Sequence, residues 1–222
     1  MIELKNFNKK YKKTIFENSS ICFPDGKINF LMGKNGTGKT TLFKCIAGLE
    51  NYGGEIVFDG KSKSEIVNDI LVLWDDTPFY LNLSGINNIF LLAKGKIAKS
   101  DIIERAEPYL DYAAMKRRVK SYSYGQKKKL SLVLLDILKP KYILMDEISN
   151  GLDVDTMREL CEKLDSLKQD RTIILTGHQF AFYQHIADNV FIKGKTSLSE
   201  VEYDKTNNTD LEIIYNERIN KN

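Results

Sequence analysis

The segment GKNGTGKT, residues 33–40, combines the residue types and the spacing that hold a nucleotide phosphate chain. Glycines let backbone N–H groups approach phosphate oxygens, and a helix that begins directly afterwards points its positive end at the same anion. In the pattern G-x-x-x-x-G-K-[ST], the lysine (Lys39) reaches the β- and γ-phosphates and the hydroxyl residue (Thr40) binds Mg²⁺. We therefore predict a phosphate-binding loop composed of Gly33, Lys34, Asn35, Gly36, Thr37, Gly38, Lys39, Thr40 and Thr41.

Two acidic residues end an apolar stretch, YILMDE, at positions 142–147. A carboxylate directly after a buried strand is placed to hold a magnesium-bound water shell, which suits Asp146. Its neighbour Glu147 is placed to orient or deprotonate an attacking water. Alone, such a pair is often only a solvated strand end, but beside a phosphate loop it favours phosphoryl chemistry. His178, one of two histidines, follows the strand-like stretch TIILTG and is placed to hydrogen-bond a terminal phosphate.

The elements that must position these residues alternate between strands and helices. Buried-strand patterns occur at KINFLM, DILVLW, KYILMD and RTIILTG, and helical periodicity at positions 77–139 indicates an inserted helical lobe. MIELKNF and TIFENSSICF are typical of strands, NVFIKG and SLSEVEY of a closing strand pair, and TDLEIIYNERI of a terminal helix. We predict one α/β domain with a mainly parallel sheet. Its core lobe spans 1–76 and 140–200, its helical lobe 77–139 and its C-terminal tail 201–222.

The composition of the 222 residues is that of an ordinary globular protein, with 42% hydrophobic and 28% charged residues. The net charge of +3 does not favour a nucleic-acid partner, and three cysteines without metal-type spacing suit a reducing compartment. The N-terminal residues lack an apolar signal core. The uncharged run at 77–93 contains Pro78 and Gly85, so we do not expect it to cross a membrane.

Together these motifs resemble the nucleotide-binding domain of ABC ATPases over residues 1 to about 195, in the order typical of that family. Residues 33–40 resemble its Walker A loop, and residues 142–147 resemble its Walker B segment. YSYGQKKKL, residues 122–130, resembles the signature segment, whose commonest form is LSGGQ. SNGLD, residues 149–153, resembles the D-loop, to which Asp153 belongs.

The resemblance implies a P-loop NTPase (RecA-like) fold with an N-terminal antiparallel β subdomain, and it implies ATP and Mg²⁺ as cofactors. In the family pattern, Glu147 is the catalytic base or water-positioning residue and His178 is the switch histidine. Thr40 and Asp146 correspond to metal-binding positions, and the loop at 33–41 binds ATP. Tyr11 corresponds to an aromatic residue that packs against the adenine ring, a contact that contributes about 1 kcal/mol.

ABC ATPase domains pair head to tail, so the resemblance implies a homodimer or heterodimer in which each signature closes over the ATP of the other chain. The serine of SYG is suited to cap a helix that begins at the tyrosine, and the glycine lets a phosphate approach the backbone. Within one chain we expect this turn to lie far from Lys39. The residues expected to contact the partner's ATP are Ser123, Tyr124, Gly125 and Gln126.

Two positions depart from the family pattern. Tyr124 replaces the first glycine of the signature, and the glutamine that the family has after the strand DILVLW is absent from WDDTPFYLNLS. Counting back from the Leu-Ser pair in this stretch places Asp75 at that position, whereas aligning Pro78 favours Asp76. We expect Asp75 to keep a metal-binding role with altered coupling. The lysines at 127–129 are expected to form a solvated face, with one of them pairing across the lobes.

The function that the resemblance implies is a Mg²⁺-dependent ATPase subunit of an ABC transporter. Such a subunit drives a separate membrane-spanning permease and lies at the cytoplasmic face of the membrane through that partner. The helical lobe with its DDTPFY loop is the expected permease-binding surface. Two alternatives share the same nucleotide chemistry. One is a soluble assembly ATPase like the iron–sulfur scaffold member of this superfamily, and the other is a nucleotide-gated regulatory module with little hydrolysis.

Overall fold

The computed structural model describes residues 1–205 and 210–220, and the strands in this part of the chain form two sheets. The first sheet is antiparallel, with the order β2-β1-β4, and the second has six strands in the order β5-β6-β7-β3-β8-β9. The strands are β1 (Ile2–Lys10), β2 (Thr14–Phe23), β3 (Lys27–Met32), β4 (Gly53–Phe58), β5 (Ile70–Leu73), β6 (Tyr142–Met145), β7 (Thr172–Leu175), β8 (Asn189–Lys193) and β9 (Leu198–Val201).

The large sheet is parallel from β5 to β8, and only β9 runs antiparallel, at its edge. Every residue of β6 and β7 is buried, which explains their continuous apolar sequences, because a parallel sheet is covered on both faces. The carboxyl ends of parallel strands meet at one edge of the sheet, where α/β proteins bind their ligands. The prediction of a mainly parallel sheet with an antiparallel N-terminal subdomain is therefore confirmed.

Nine α-helices lie in the described part of the chain. Four of them, α3 to α6, follow β5 and precede β6, so the predicted helical lobe is inserted between two neighbouring strands of the sheet. The helices are α1 (Lys39–Ile46), α2 (Lys63–Ile66), α3 (Gly85–Leu92), α4 (Lys99–Ala106), α5 (Tyr112–Lys116), α6 (Tyr124–Leu138), α7 (Val154–Leu167), α8 (Phe180–Tyr183) and α9 (Leu211–Tyr215).

Within the region of predicted helical periodicity, 77–139, the stretch SDIIERAEPYLDYAAM, residues 100–115, is divided between two helices. Helix α4 ends at Ala106, two residues before Pro108, whose ring has no N–H to continue the helix. Helix α5 begins after Asp111, whose Oδ1 accepts a hydrogen bond from the Ala114 N–H at 2.6 Å. The local reason for the break is therefore a proline followed by a strong N-cap.

Two apolar clusters cover the two faces of the large sheet. One includes Phe16, Phe43 and Phe58 and joins the sheet to α1 and the antiparallel sheet. The other includes Leu160 and Tyr183 and joins the opposite face to α6 and α7. Because both faces are fixed in this way, the loops at the carboxyl edge extend from rigid elements.

The C-terminal part of the chain packs back on the core through Leu211, Ile214 and Ile219. Helix α9 begins after Asp210 and a π-helical turn, Asn216–Asn220, follows it, which agrees with the predicted terminal helix. Within the predicted tail, residues 206–209 and 221–222 lie outside the described residues, and these include the threonine at the start of TDLEIIYNERI. Among the helices described, none has the length and apolar content needed to cross a lipid bilayer.

Candidate nucleotide-binding site

The predicted phosphate loop joins the end of β3 to the start of α1. Gly36 and Gly38 have positive φ values of 79° and 112°. A Cβ on Gly38 would lie 2.3 Å from Ile15 Cγ2, so this position needs glycine both for its conformation and for space. The Thr37 hydroxyl donates to the Lys34 carbonyl at 2.8 Å and holds the loop in this shape. The sequence pattern and the fold thus agree on an exposed cradle in front of a helix N-terminus.

The Lys39 ammonium folds back over the loop. Its Nζ donates to the carbonyls of Gly33 at 2.7 Å and Lys34 at 3.3 Å, and the side chain is buried. Burial lowers the pKa of Lys39, although the charges of Glu147 and Asp146 oppose this effect. Neutral carbonyls do not cancel the charge of the ammonium, so it can form a strong charge-assisted hydrogen bond with a phosphate oxygen.

Asp146 lies directly after β6, where two threonine hydroxyls donate to its two oxygens. The Thr40 hydroxyl is 2.6 Å from Oδ2, and the Thr176 hydroxyl is 2.9 Å from Oδ1. Burial raises the pKa of Asp146, and the two hydroxyls act in the opposite direction. The Thr40 hydroxyl in the first turn of α1 and the Asp146 carboxylate after β6 are hard oxygen ligands of the kind Mg²⁺ takes together with substrate phosphates. Residues 40 and 146 therefore fit this ion.

No cluster of three or more His, Cys, Asp or Glu side chains in the described residues could hold a metal by itself.

Glu147 has a left-handed backbone conformation, with φ 51°, which is uncommon for a residue with a side chain. The Thr176 hydroxyl accepts a hydrogen bond from its N–H at 3.0 Å, and the Asn150 amide donates to its Oε2 at 3.1 Å. Local strain of this kind persists where the surrounding structure holds it, commonly at functional sites. The Glu147 backbone and the Glu147 carboxylate are therefore each held by one hydrogen bond.

A cavity of about 320 Å³ joins these groups at the carboxyl edge of the sheet. It brings together most of the residues that the sequence assigned to phosphate and metal binding, and Asp75 is among them. Asp76, the alternative at the same family position, is exposed and lies outside it. The lining residues are Asn35, Gly36, Gly38, Lys39, Thr40, Thr41, Asp75, Asp146 and Glu147.

The signature turn begins α6 as expected. Ser123 Oγ accepts from the Gln126 N–H at 3.2 Å, and Gln126 Oε1 accepts from the Ser123 N–H at 3.1 Å. This reciprocal pair is a capping box, so the helix start is fixed by its own residues. A Cβ on Gly125 would lie 2.9 Å from the carbonyl oxygen of Gly151, so the turn packs closely on the D-loop of the same chain.

The expectation that the signature turn lies far from the phosphate site needs correction. The Tyr124 hydroxyl donates to Asp75, which lines the same cavity as Lys39. At this point the tyrosine is long enough to bridge the signature turn and the carboxylate after β5 within one chain. A glycine, the usual residue at this position, has no side chain that could do so.

The expectation of a solvated lysine face was wrong for Lys128, whose side chain is only 2% exposed. It lies one helical turn after Tyr124 on α6, and its Nζ is 2.8 Å from Asp75 Oδ1. Lys129 Nζ lies 3.0 Å from Asp153 Oδ2. The expectation that a lysine of this run pairs across the lobes is therefore confirmed.

Asp75 accepts from three donors at the same oxygen, those of Lys128, Tyr124 and Asn150. Burial raises the pKa of Asp75, but the bonds from Lys128 and Tyr124 outweigh it and hold this pKa below its ordinary value. The carboxylate thus lines the cavity while its charge is matched by a buried ammonium.

Tyr11 and Asp153 lie outside the cavity lining. Tyr11 occupies the turn between β1 and β2, is 48% exposed, and has the Lys9 ammonium 4.4 Å from its ring centroid. Asp153 caps α7 by accepting from the Thr156 N–H at 2.9 Å. The Tyr11 ring is exposed enough for another aromatic ring to stack on it. Asp153 has a structural role as the N-cap of α7.

Three polar residues of the site were not found from the sequence: Thr176, Asn150 and Lys128. Thr176 lies at the end of β7 and binds both acids after β6, so its position at a strand end was an available signal. Asn150 bridges Asp75 and Glu147, with its Nδ2 3.3 Å and 3.1 Å from their oxygens. Its partner 75 residues away could not be inferred from spacing.

The ABC transporter family profile matches residues 16–150 of this chain. The lantibiotic transport ATP-binding protein SrtF of Streptococcus pyogenes is 33% identical over 229 aligned positions, which cover 99% of this chain and 97% of that protein. The bacitracin transport ATP-binding protein BcrA of Enterococcus faecalis is 32% identical, over 90% of this chain and 68% of that protein.

A solved structure described as the ATP binding subunit of an ABC transporter has the same fold, with a TM-score of 0.85 and 21% identity over 97% of this chain and 98% of that chain. A second, described as cbiO1 from Clostridium perfringens, has a TM-score of 0.75 and 20% identity over 99% of this chain and 96% of that chain. With the phosphate loop, the paired acids and the signature turn in place, the chain belongs to the ABC transporter family and is one of its ATP-binding proteins.

Proposed function

We propose that this chain hydrolyses ATP with Mg²⁺ and drives a separate membrane-spanning permease. The observation that carries this proposal is the meeting of Lys39, Thr40, Asp146 and Glu147 around one cavity. These are a phosphate-binding cation, two hard oxygen ligands and a carboxylate beyond them. Phosphoryl transfer requires mainly positioning and charge stabilisation, and this set supplies both.

The loop amides and Lys39 bind the phosphate chain, and Thr40 and Asp146 hold the metal. Bound Mg²⁺ supplies neutralisation of the charge that develops on the phosphates. Glu147 orients the attacking water and accepts its proton at a carboxylate oxygen, which Asn150 holds in place at 3.1 Å. The fixed backbone of Glu147 keeps that oxygen at the open side of the cavity.

His178 contributes a hydrogen bond to the terminal phosphate in this proposal. Its Nε2 lies 3.0 Å from Asn35 Oδ1 in the phosphate loop, so the ring already faces the end of the site where the γ-phosphate would lie. Tyr11 provides an exposed ring for the adenine, as expected from its place in the β1–β2 turn.

We further propose that two chains pair head to tail, as a homodimer or a heterodimer, and form two ATP sites. The start of α6 leaves backbone N–H groups of its first turn free to bind an anion, because a helix N-terminus has more donors than its cap satisfies. The second chain supplies that anion as the γ-phosphate of its own ATP. Asp153 and the D-loop lie beside this surface.

The helical lobe is proposed as the permease-binding surface. It exposes large apolar side chains on the loop before α3 and on the helices, which would supply apolar contact area to a protein partner. The chain would then lie at the cytoplasmic face of the membrane through this partner, with no role for nucleic acid. The exposed side chains are Tyr80, Leu81, Leu91 and Tyr112.

For the division of the chain, we propose one ABC ATPase domain with a core lobe at 1–76 and 140–200, a helical lobe at 77–139 and a C-terminal tail from 201.

The direct test is phosphate release by the purified chain with ATP, in Mg²⁺ and again with the metal chelated. We expect turnover that requires Mg²⁺, and an absence of turnover at any protein concentration would contradict the proposed hydrolysis and favour a regulatory module. A tagged chain should also co-purify from detergent extracts with a polytopic membrane protein. Recovery of a soluble scaffold instead would favour the assembly ATPase.

A further inference from the structure

The two positions that depart from the ABC ATPase pattern contact each other. Tyr124 replaces a signature glycine and Asp75 replaces the glutamine after β5, and the tyrosine hydroxyl donates to the aspartate across 49 positions of sequence. Separate explanations for the two departures are therefore unnecessary.

Lys128 is a third member of this contact. Its Nζ lies 2.8 Å from Asp75 Oδ1 and 5.1 Å from the centroid of the Tyr124 ring, and it is held at 3.5 Å from the Glu147 carbonyl. A cation over a ring and against a carboxylate is favourable on both counts. One face of α6 thus places both a hydroxyl and an ammonium on a single oxygen of Asp75.

The Tyr124 ring is fixed by the D-loop below it. Gly151 has φ 75°, and a Cβ built there would lie 2.5 Å from Tyr124 Cδ1, so the ring occupies the space that a side chain at 151 would need. Asn150, the neighbouring residue, donates to Asp75 at 3.3 Å. The ring, its hydroxyl and the D-loop therefore form one packed unit around the carboxylate.

We propose that Asp75 is a positioning residue that holds the signature turn to the D-loop of its own chain through Tyr124 and Lys128, and that it is not a magnesium ligand. The three donors to Asp75 all bind Oδ1, and a metal that drew this oxygen away would leave the buried Lys128 ammonium uncompensated, which is strongly unfavourable. This proposal rests on the proposed function, because the turn acts on the nucleotide of a second chain.

The Tyr124 hydroxyl is already bonded to Asp75 of its own chain. Because Asp75 takes that hydroxyl, the donors left for the partner's phosphate are the backbone N–H groups of the first turn of α6. The Tyr124 ring then packs against its own chain. Asp75 fixes the position of the signature turn when the two chains come together.

The test compares wild type with Asp75→Asn, Tyr124→Phe and the double variant, and uses Asp76→Asn as the matched control, since it makes the same charge change at an exposed neighbour. Hydrogen exchange of the Ser123 and Gln126 amides, which are hydrogen-bonded in the capping box, is measured without nucleotide and reports the anchoring. Tyr124→Phe should speed this exchange about fivefold, the effect of one lost hydrogen bond. Asp75→Asn should speed it more, because it also leaves the buried Lys128 ammonium without its charged partner, and the double variant should be no faster than Asp75→Asn. The control should exchange like wild type.

The second readout is the Mg²⁺ concentration that gives half-maximal ATPase activity. This Mg²⁺ concentration should change by less than about twofold in Asp75→Asn, which corresponds to a small change in the free energy of metal binding. Unchanged exchange in both single variants, additive effects in the double variant, or a large rise in the Mg²⁺ requirement of Asp75→Asn alone would each overturn the proposal. If the wild type does not hydrolyse ATP, the proposed function fails, and the exchange measurements still decide the role of Asp75.

Discussion

His178 Nε2 lies 3.8 Å from Oε1 of Glu147, which lines the cavity. The same ring nitrogen lies 3.0 Å from Asn35 Oδ1, so the histidine links the acid after β6 to the phosphate loop after β3. A water or phosphate oxygen that enters between these groups would meet an acceptor on one side and a ring nitrogen on the other.

Glu147→Gln should abolish most turnover while ATP still binds. The amide has the same shape but cannot accept the proton of the attacking water, and general-base catalysis contributes about 10²- to 10⁴-fold. Phosphate release and equilibrium binding of ATP measure the two effects. Glu104→Gln, an exposed position on α4, is the control and should behave like wild type. Equal loss of binding and turnover in Glu147→Gln would assign the residue to the nucleotide pocket rather than to the chemistry.

Lys39→Ala should weaken ATP binding by at least about tenfold, because it removes a charged hydrogen bond to the phosphates worth about 1.5 to 3 kcal/mol. Lys44→Ala is the matched control, since Lys44 lies on the same helix α1 but is exposed on its surface. Titration with a fluorescent ATP analogue gives both affinities. Similar affinities in the two variants would show that the phosphates do not contact the ammonium of Lys39.

Asn88→Ala should destabilise the chain by about 1 to 3 kcal/mol, the cost of leaving buried polar groups without partners. The Asn88 side chain is fully buried, accepts from the Tyr80 N–H at 2.8 Å, and donates to the carbonyls of Tyr80 and Ser84 at 3.1 and 3.0 Å. Urea unfolding measures the change. Asn87→Ala, at the adjacent and partly exposed position, should cost much less, and a comparable loss there would contradict this account.

Stability should rise with pH through the titration of Lys193. The side chain is buried beside Phe16, and its Nζ donates to the carbonyls of Gly194 and Lys195. Burial lowers its pKa from 10.5 to about 8. Between these values the unfolded chain binds the proton more strongly, so the free energy of unfolding should increase by about 1 to 3 kcal/mol as pH rises from 8 to 10.5.

The comparison of wild type with Lys193→Met isolates this effect, because other lysines and tyrosines titrate in the same range in both proteins. The difference in their unfolding free energies should change with pH in the stated direction. Lys195→Met, at the exposed neighbour, should track wild type. A constant difference between wild type and Lys193→Met from pH 7 to 10 would show that the buried amine keeps its ordinary pKa.

The phosphate loop and the two acids could be predicted because each is a short contiguous motif, and the elements around them follow from apolar periodicity. The burial of Lys128 and its pairing with Asp75 could not be predicted. Its place on α6, one turn after Tyr124, was readable, but whether that face meets water or another lobe depends on Asp75, 53 positions away. Asn150 and Thr176 were missed for the same reason, since their partners belong to other strands. The break at Pro108 was present in the sequence and was outweighed by the helical spacing on both sides.

Because the Tyr124 ring occupies the space beside Gly151, the side-chain sizes at positions 124 and 151 depend on each other. A relative with the common signature glycine at position 124 has room for a methyl group at 151, whereas a chain with tyrosine there does not. Among relatives, tyrosine at 124 should therefore accompany glycine at 151, and a residue with a side chain at 151 should accompany a small residue at 124.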